Sequence, residues 1–158
     1  NANSPASSMI RLLRTDSSNP DFQSLVQLLD AELRQRDGEE HAFFAQFNKI
    51  DQIRQVVVAY DGEIAVGCGA VKPYDAGTME VKRMYVRPEA RGKRIAVSVL
   101  QELEKWTRES GYRNCILETG ERQPEAIALY TRCGYERIPN YGQYAQVATS
   151  VCFHKTLE

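Results

Sequence analysis

The chain has 158 residues, 42% of them hydrophobic and 26% charged, which suits one domain with a sizeable core. Lys and Arg number 20 against 21 for Asp and Glu, and the formal charge of −1 gives no general electrostatic reason to bind nucleic acid or an anionic membrane. No apolar run approaches the ~20 residues that cross a bilayer, and the opening NANSPASSM has neither region of a secretory signal, so a soluble cytoplasmic protein is expected.

Residues 1–8, small and polar ahead of Met9, read as a disordered tail or cloning remnant and leave 9–158 as one domain. MIRLLR predicts a short strand. DFQSLVQLLDAELRQR repeats apolar residues at Phe22, Leu25, Val26, Leu29 and Leu33 with helical spacing, and EEHAFFAQFN predicts a shorter second helix. QVVVAY, the Asp61-Gly62 turn and EIAVGCGAV read as a β-hairpin with a type I′ turn, and a further turn near Gly77 leads into the strand TMEVKRMYV. From Arg91 a helix is expected, with Ile95, Ala96, Val99, Leu100, Leu103 and Trp106 on one face and Gly111 as its stop. NCILET is a strand. PEAIALYTRCG is a helix with Pro124 in its first turn, and TSVCFHKTL closes the chain as a strand. This order predicts an α/β fold with a mixed, mostly antiparallel central sheet flanked by helices and a βαβ-like crossover at its centre.

Cys68, Cys115, Cys133 and Cys152 form no Cys-x-x-Cys pair and lie among apolar or small residues, which predicts buried thiols in a reducing compartment. With His41 and His154 as the only histidines, no metal is expected.

VRPEARGKRIA, residues 86–96, crowds four basic side chains around Gly92 where a strand gives way to a helix. Unpaired N–H groups at a helix start carry the positive end of the helix dipole, and with Arg91, Lys93 and Arg94 beside them they suit a phosphate. The alternative is a solvated basic first turn, although cations are unfavourable there. A P-loop is excluded, because Arg87 stands where its first Gly belongs and Arg94 where Ser or Thr must follow Lys93. A dinucleotide fingerprint fails too: Gly67 and Gly69 lie inside a strand, with Lys72 in place of the third Gly.

At this turn the chain resembles the GCN5-related N-acetyltransferases (GNAT), whose pyrophosphate-binding pattern Arg/Gln-x-x-Gly-x-Gly/Ala falls on Arg91, Gly92, Lys93, Arg94, Ile95 and Ala96. Arg94 replaces the usual first Gly. A second family pattern is matched at Ala126, Leu129, Tyr130, Gly134 and Tyr135, with Gln123 where Asn is usual. The resemblance covers roughly residues 9–157 and implies a single-domain GNAT fold that uses acetyl-CoA to acetylate a primary amine of a small molecule or peptide, directly in a ternary complex. A non-catalytic acyl-CoA-binding module is the alternative, and a homodimer remains open.

Acetyl transfer needs a neutral amine, and deprotonating a lysine-like ammonium of pKa ~10.4 costs roughly 4 to 5 kcal/mol at neutral pH. The resemblance offers Glu80 and Glu118 as bases on adjacent strands; a pairing with Lys82 and a hydrogen-bonded strand end are their structural alternatives. It also assigns Tyr130 as donor to the departing CoA sulfur, and it assigns Met84, Tyr85 and Val86 as backbone partners of the pantetheine arm and acetyl oxygen. By the same resemblance, acceptor pockets form from the first two helices and the late loop PNYGQY. Glu39, Glu40, Phe43, Phe44, Tyr141 and Tyr144 there would suit a cationic amine with an apolar part, but the acceptor is not specified.

Overall fold

The computed structural model describes residues 9–38 and 52–158. The tail at 1–8 and the helix expected over residues 39–48 lie outside them, and so do Glu39, Glu40, Phe43 and Phe44. Strands β1 (Ile10–Thr15), β2 (Gln55–Asp61), β3 (Ile64–Asp75), β4 (Thr78–Val86), β5 (Asn114–Gly120), β6 (Glu136–Ile138) and β7 (Ser150–Thr156) form one sheet. Their spatial order is β1-β2-β3-β4-β5-β7-β6. Helices α1 (Pro20–Asp37), α2 (Ile95–Glu109) and α3 (Pro124–Arg132) and two 3-10 turns, Pro88–Ala90 and Gly142–Tyr144, complete the described elements. Every neighbouring pair is antiparallel except β4 and β5, which α2 joins as a crossover. The mixed, mostly antiparallel α/β domain is therefore as expected.

Local chemistry accounts for the elements. Asn19 caps α1 by accepting from the Phe22 amide at 2.9 Å, and Pro20 supplies a pre-set φ in the first turn. β2 is apolar without alternation because both its faces are covered: Val57 and Ala59 join the cluster under α2, while Val56, Val58 and Tyr60 join the one under α1. Helix α2 seats Ile95 over Gly67 and Val99 and Leu103 over Gly69 of β3, all three buried. A Cβ at Gly69 would run into Met84 Sδ and come within 2.9 Å of Leu103 Cδ1. The Gly-x-Gly is a packing device that lets the crossover helix approach the sheet.

Three details differ from expectation. The β2–β3 loop is Gly62-Glu63 and only Gly62 has positive φ, at 63°, so the type I′ turn, which needs two such residues, is not formed. Helix α2 starts at Ile95, not Arg91, because Gly92 at φ 83° and Arg94 at φ 64° break right-handed geometry. The three-residue strand β6 was not anticipated; ERI is too short and charged to carry a strand pattern, and its pairing with β7 defines it. Cys68, Cys115 and Cys152 are buried and Cys133 half-buried, all as free thiols.

Candidate active site

Strands β4 and β5 pair only from Thr78–Glu80 to Asn114–Ile116; beyond that they part, leaving the later edge of β4 without a strand partner on that side. A cleft of about 130 Å³ occupies the fork, walled by Glu80, Lys82 and Arg83 of β4, Glu118 of β5, Gln123 and Tyr130 of α3, and Leu29 and Leu33 of α1. A β-bulge shapes its β4 wall. Cys68 pairs with Tyr85 but Ala70 with Lys82, so Arg83 and Met84 oppose a single β3 residue, and Arg83 takes a left-handed φ of 59°. Before the bulge Glu80 and Lys82 face α1; after it Met84 and Val86 pack toward α2, while Tyr85 joins the α1 cluster. The Cys68 thiol supports the bulge by donating to the Arg83 carbonyl at 3.4 Å.

The two glutamates line the same cleft, on adjacent strands. Glu80 Oε2 accepts from the Tyr141 hydroxyl at 2.7 Å, and Glu118 Oε2 accepts from the Ser150 hydroxyl at 2.7 Å. Glu118 is thus a hydrogen-bonded strand-end carboxylate that also faces the cleft. The Tyr141 ring stands edge-on to Tyr74 and Tyr144, at 5.3 and 5.7 Å. Burial first, and the charges of Glu80 and Glu118 after it, push the Tyr144 phenol well above its ordinary pKa; Tyr141 rises through burial and Glu80. Both stay protonated donors. Lys82 shares the face of Glu80, and burial draws its ammonium below the usual lysine range against the opposing pull of the two carboxylates.

Tyr130 is buried and has two surroundings. Its ring packs edge-on to Tyr135 and tilts against Phe153, as a core residue does, yet it also lines the cleft. Burial raises its phenol pKa, with smaller contributions from Cys133 and Glu118, so it carries a proton at neutral pH.

At the basic turn, Arg91 is exposed but paired. Its Nε donates to the Val86 carbonyl and its Nη2 to Glu32 Oε1, both at 2.8 Å, tying the turn to the end of β4 and to α1. Lys93 and Arg94 are exposed, and the first amides of α2, from Ile95 and Ala96, begin behind them without intrahelical acceptors. Gln123 precedes α3 at the cleft, and its Oε1 accepts from Arg36 Nη1 of α1 at 3.3 Å.

Arg83 is a cleft residue that sequence reasoning missed. Its signal was the pair Lys82-Arg83 in a strand whose neighbours are apolar, which breaks alternation where the bulge occurs. Among the described residues no three His, Cys, Asp or Glu side chains converge as metal ligands, and no helix is long and apolar enough to cross a membrane.

A sequence model described as the acetyltransferase (GNAT) family matches residues 19–135. The chain belongs to that family. An IAA acetyltransferase of Azospirillum brasilense is 38% identical over 106 residues, 66% of this chain and 69% of its own length. Two further curated relatives match over about half their length. A crystal structure named as an acyl-CoA N-acyltransferase from Klebsiella pneumoniae covers 95% of this chain and 99% of its own at a TM-score of 0.80 and 28% identity. The PaiA N-acetyltransferase of Thermoplasma acidophilum, in complex with coenzyme A, shares the fold at a TM-score of 0.69 and 17% identity, over 93% of this chain and 98% of its own. By family and by its named relatives this GNAT protein is an N-acetyltransferase.

Proposed function

We propose that this GNAT protein transfers acetyl from acetyl-CoA directly to a primary amine of a small molecule or peptide in a ternary complex. The observation that carries the reading is the convergence of two carboxylates and a protonated phenol on one cleft, at the point where β4 and β5 part. The neighbour crystallised with coenzyme A supports CoA as the acyl carrier.

In this reading the pantetheine arm enters the fork along the unpaired edge of β4 and meets backbone groups of Met84, Tyr85 and Val86. The pyrophosphate meets the amides from Gly92 to Ala96, with Lys93 and Arg94 adding charge outside and Arg91 holding the turn in place. The left-handed residues Gly92 and Arg94 suit this role, since positive φ turns successive amides toward one concavity. Gln123 borders the arm. Glu80 removes the amine proton, with Glu118 as the second candidate; the amine attacks the acetyl carbonyl, and the C–S bond breaks. Tyr130 donates its hydroxyl proton to the departing sulfur. A soluble cytoplasmic setting, with no metal, nucleic acid or membrane partner, suits this chemistry.

Tyr130→Phe tests the assignment. It keeps the ring packed on Tyr135 and Phe153 and removes only the donor, so melting temperature and acetyl-CoA affinity should change little. Single-turnover acetyl transfer should fall about 10²-fold, the usual loss of one preorganised donor to a developing anion. Unchanged single-turnover chemistry would return Tyr130 to the core. A non-catalytic acyl-CoA module would bind CoA and release none with any amine.

A further inference from the structure

The β4 bulge buries a charged side chain that protein contacts leave half satisfied. The Arg83 side chain is only 2% exposed, and its Nη2 binds both carboxylate oxygens of Asp30, at 2.9 and 3.1 Å. Its Nε and Nη1 are buried and have no hydrogen-bond partner among the described residues. Buried guanidinium donors are normally paired, and left-handed backbone is unusual for Arg, so this residue is held where neither desolvation nor conformation favours it. Such combinations concentrate where a ligand completes the set. An oxygen acceptor brought by a ligand into the cleft that Arg83 lines would complete the set.

We propose that the acceptor amine carries a carboxylate and that Arg83 binds it, an inference that rests on the acetyltransferase reading of the cleft. Glu80 and Glu118 attract an ammonium group, and Lys82 and Arg83, further along β4, attract an anion on the same wall. Asp30, 39% exposed, holds Nη2 and fixes the orientation of the guanidinium, leaving the Nη1 donors at its end to make a charge-assisted bond to one oxygen of a ligand carboxylate. An acceptor with an amine at one end and a carboxylate at the other, as in an amino acid, satisfies both ends of the cleft. The acidic and aromatic residues of the sequence had suggested a cationic amine with an apolar part; the buried arginine adds the anionic group.

The test is acetyl-CoA-dependent CoA release from the full chain with L-amino acids, β-alanine and γ-aminobutyrate, each beside its carboxamide. At least one acid should exceed its amide by about 10²-fold in kcat/KM, chiefly through KM, because an amide leaves the guanidinium without its anion. Arg83→Gln should bring the pair to near equality while CoA still raises the melting temperature. Amides that match or exceed their acids overturn the proposal, as does an acid preference that survives Arg83→Gln. It also falls if no acid is acetylated while CoA still stabilises the protein. If Arg83→Gln does not fold, the wild-type ratio of acid to amide decides alone. Absence of any stabilisation by CoA would instead overturn the acetyltransferase reading beneath it.

Discussion

Toward α2, strands β4 and β5 present Met79, Val81, Cys115 and Leu117, none more than 4% exposed; toward α1 the same strands present Glu80, Lys82 and Glu118. In a sheet covered on one side, such alternation would mean core and solvent. Here both faces are covered, so Glu80 and Lys82 are buried and Glu118 half-buried on the polar face. That partial enclosure turns an ordinary strand pattern into the cleft proposed as the active site. The two faces should accordingly fail in different ways.

On the α2 face the largest effect should be on folding. Leu103, fully buried, packs over Gly69, and Leu103→Ala should cost about 2–5 kcal/mol by removing contacts and leaving a cavity. Urea denaturation should show a lower midpoint with an unchanged slope, while the folded fraction keeps normal acetyl transfer. A loss of rate larger than the loss of folded protein would mean that this face takes part in the chemistry.

On the α1 face the order should reverse. Glu80→Gln preserves shape and keeps an acceptor for Tyr141, but cannot take a proton, so the rate should drop by roughly 10²-fold or more with little change in denaturation midpoint. Glu118→Gln, measured beside it, identifies the base. Near-normal rates in both variants would exclude both glutamates and leave a water chain to backbone groups.

These two faces were legible from sequence to unequal degree. β-branched runs and helical spacing located six of the seven strands and all three described helices, since each carries its own pattern over five or more residues. The basic turn stood out through its charge around Gly92 at a helix start, whereas the glutamates were singled out only through the family resemblance. Arg83 was missed because the bulge depends on pairing with β3, and the cleft because it depends on where β4 and β5 separate. Neither is a property of one strand read alone. The start of α2 was misplaced for a related reason: an Arg in left-handed backbone has no local sequence signal.

A smaller effect on the α1 side depends on pH. Burial pushes the Cys68 thiol up to about 12, with the charge of Arg83 opposing it. Because the folded state holds the proton more tightly, the stabilisation is complete below pH 9 and is lost as pH rises toward 12. Each pH unit in that window removes at most about 1.4 kcal/mol for this one proton. Cys68→Ala should therefore flatten the fall in urea midpoint between pH 9 and 10, under reducing conditions. Some slope should remain, because burial also pushes Cys115 and Cys152 up to about 11. An undiminished slope would place the titration elsewhere.

The smallest effect concerns Arg94, which stands where the family has Gly and takes φ 64°, ψ 21° before α2. Left-handed backbone costs a residue with a Cβ on the order of 1 kcal/mol, so Arg94→Gly relieves strain in the folded chain. It also widens the unfolded ensemble, and the two changes offset, leaving melting temperature nearly constant. Coenzyme A affinity is then the informative quantity. Arg94 is exposed, so any contact with phosphate in the proposed amide cradle would be partly screened by water and salt. Its loss should weaken CoA binding by up to about fivefold, equivalent to ~1 kcal/mol, and make affinity less sensitive to salt. Equal or tighter binding with unchanged salt dependence would assign phosphate binding to the backbone amides and leave the Arg94 side chain in solvent.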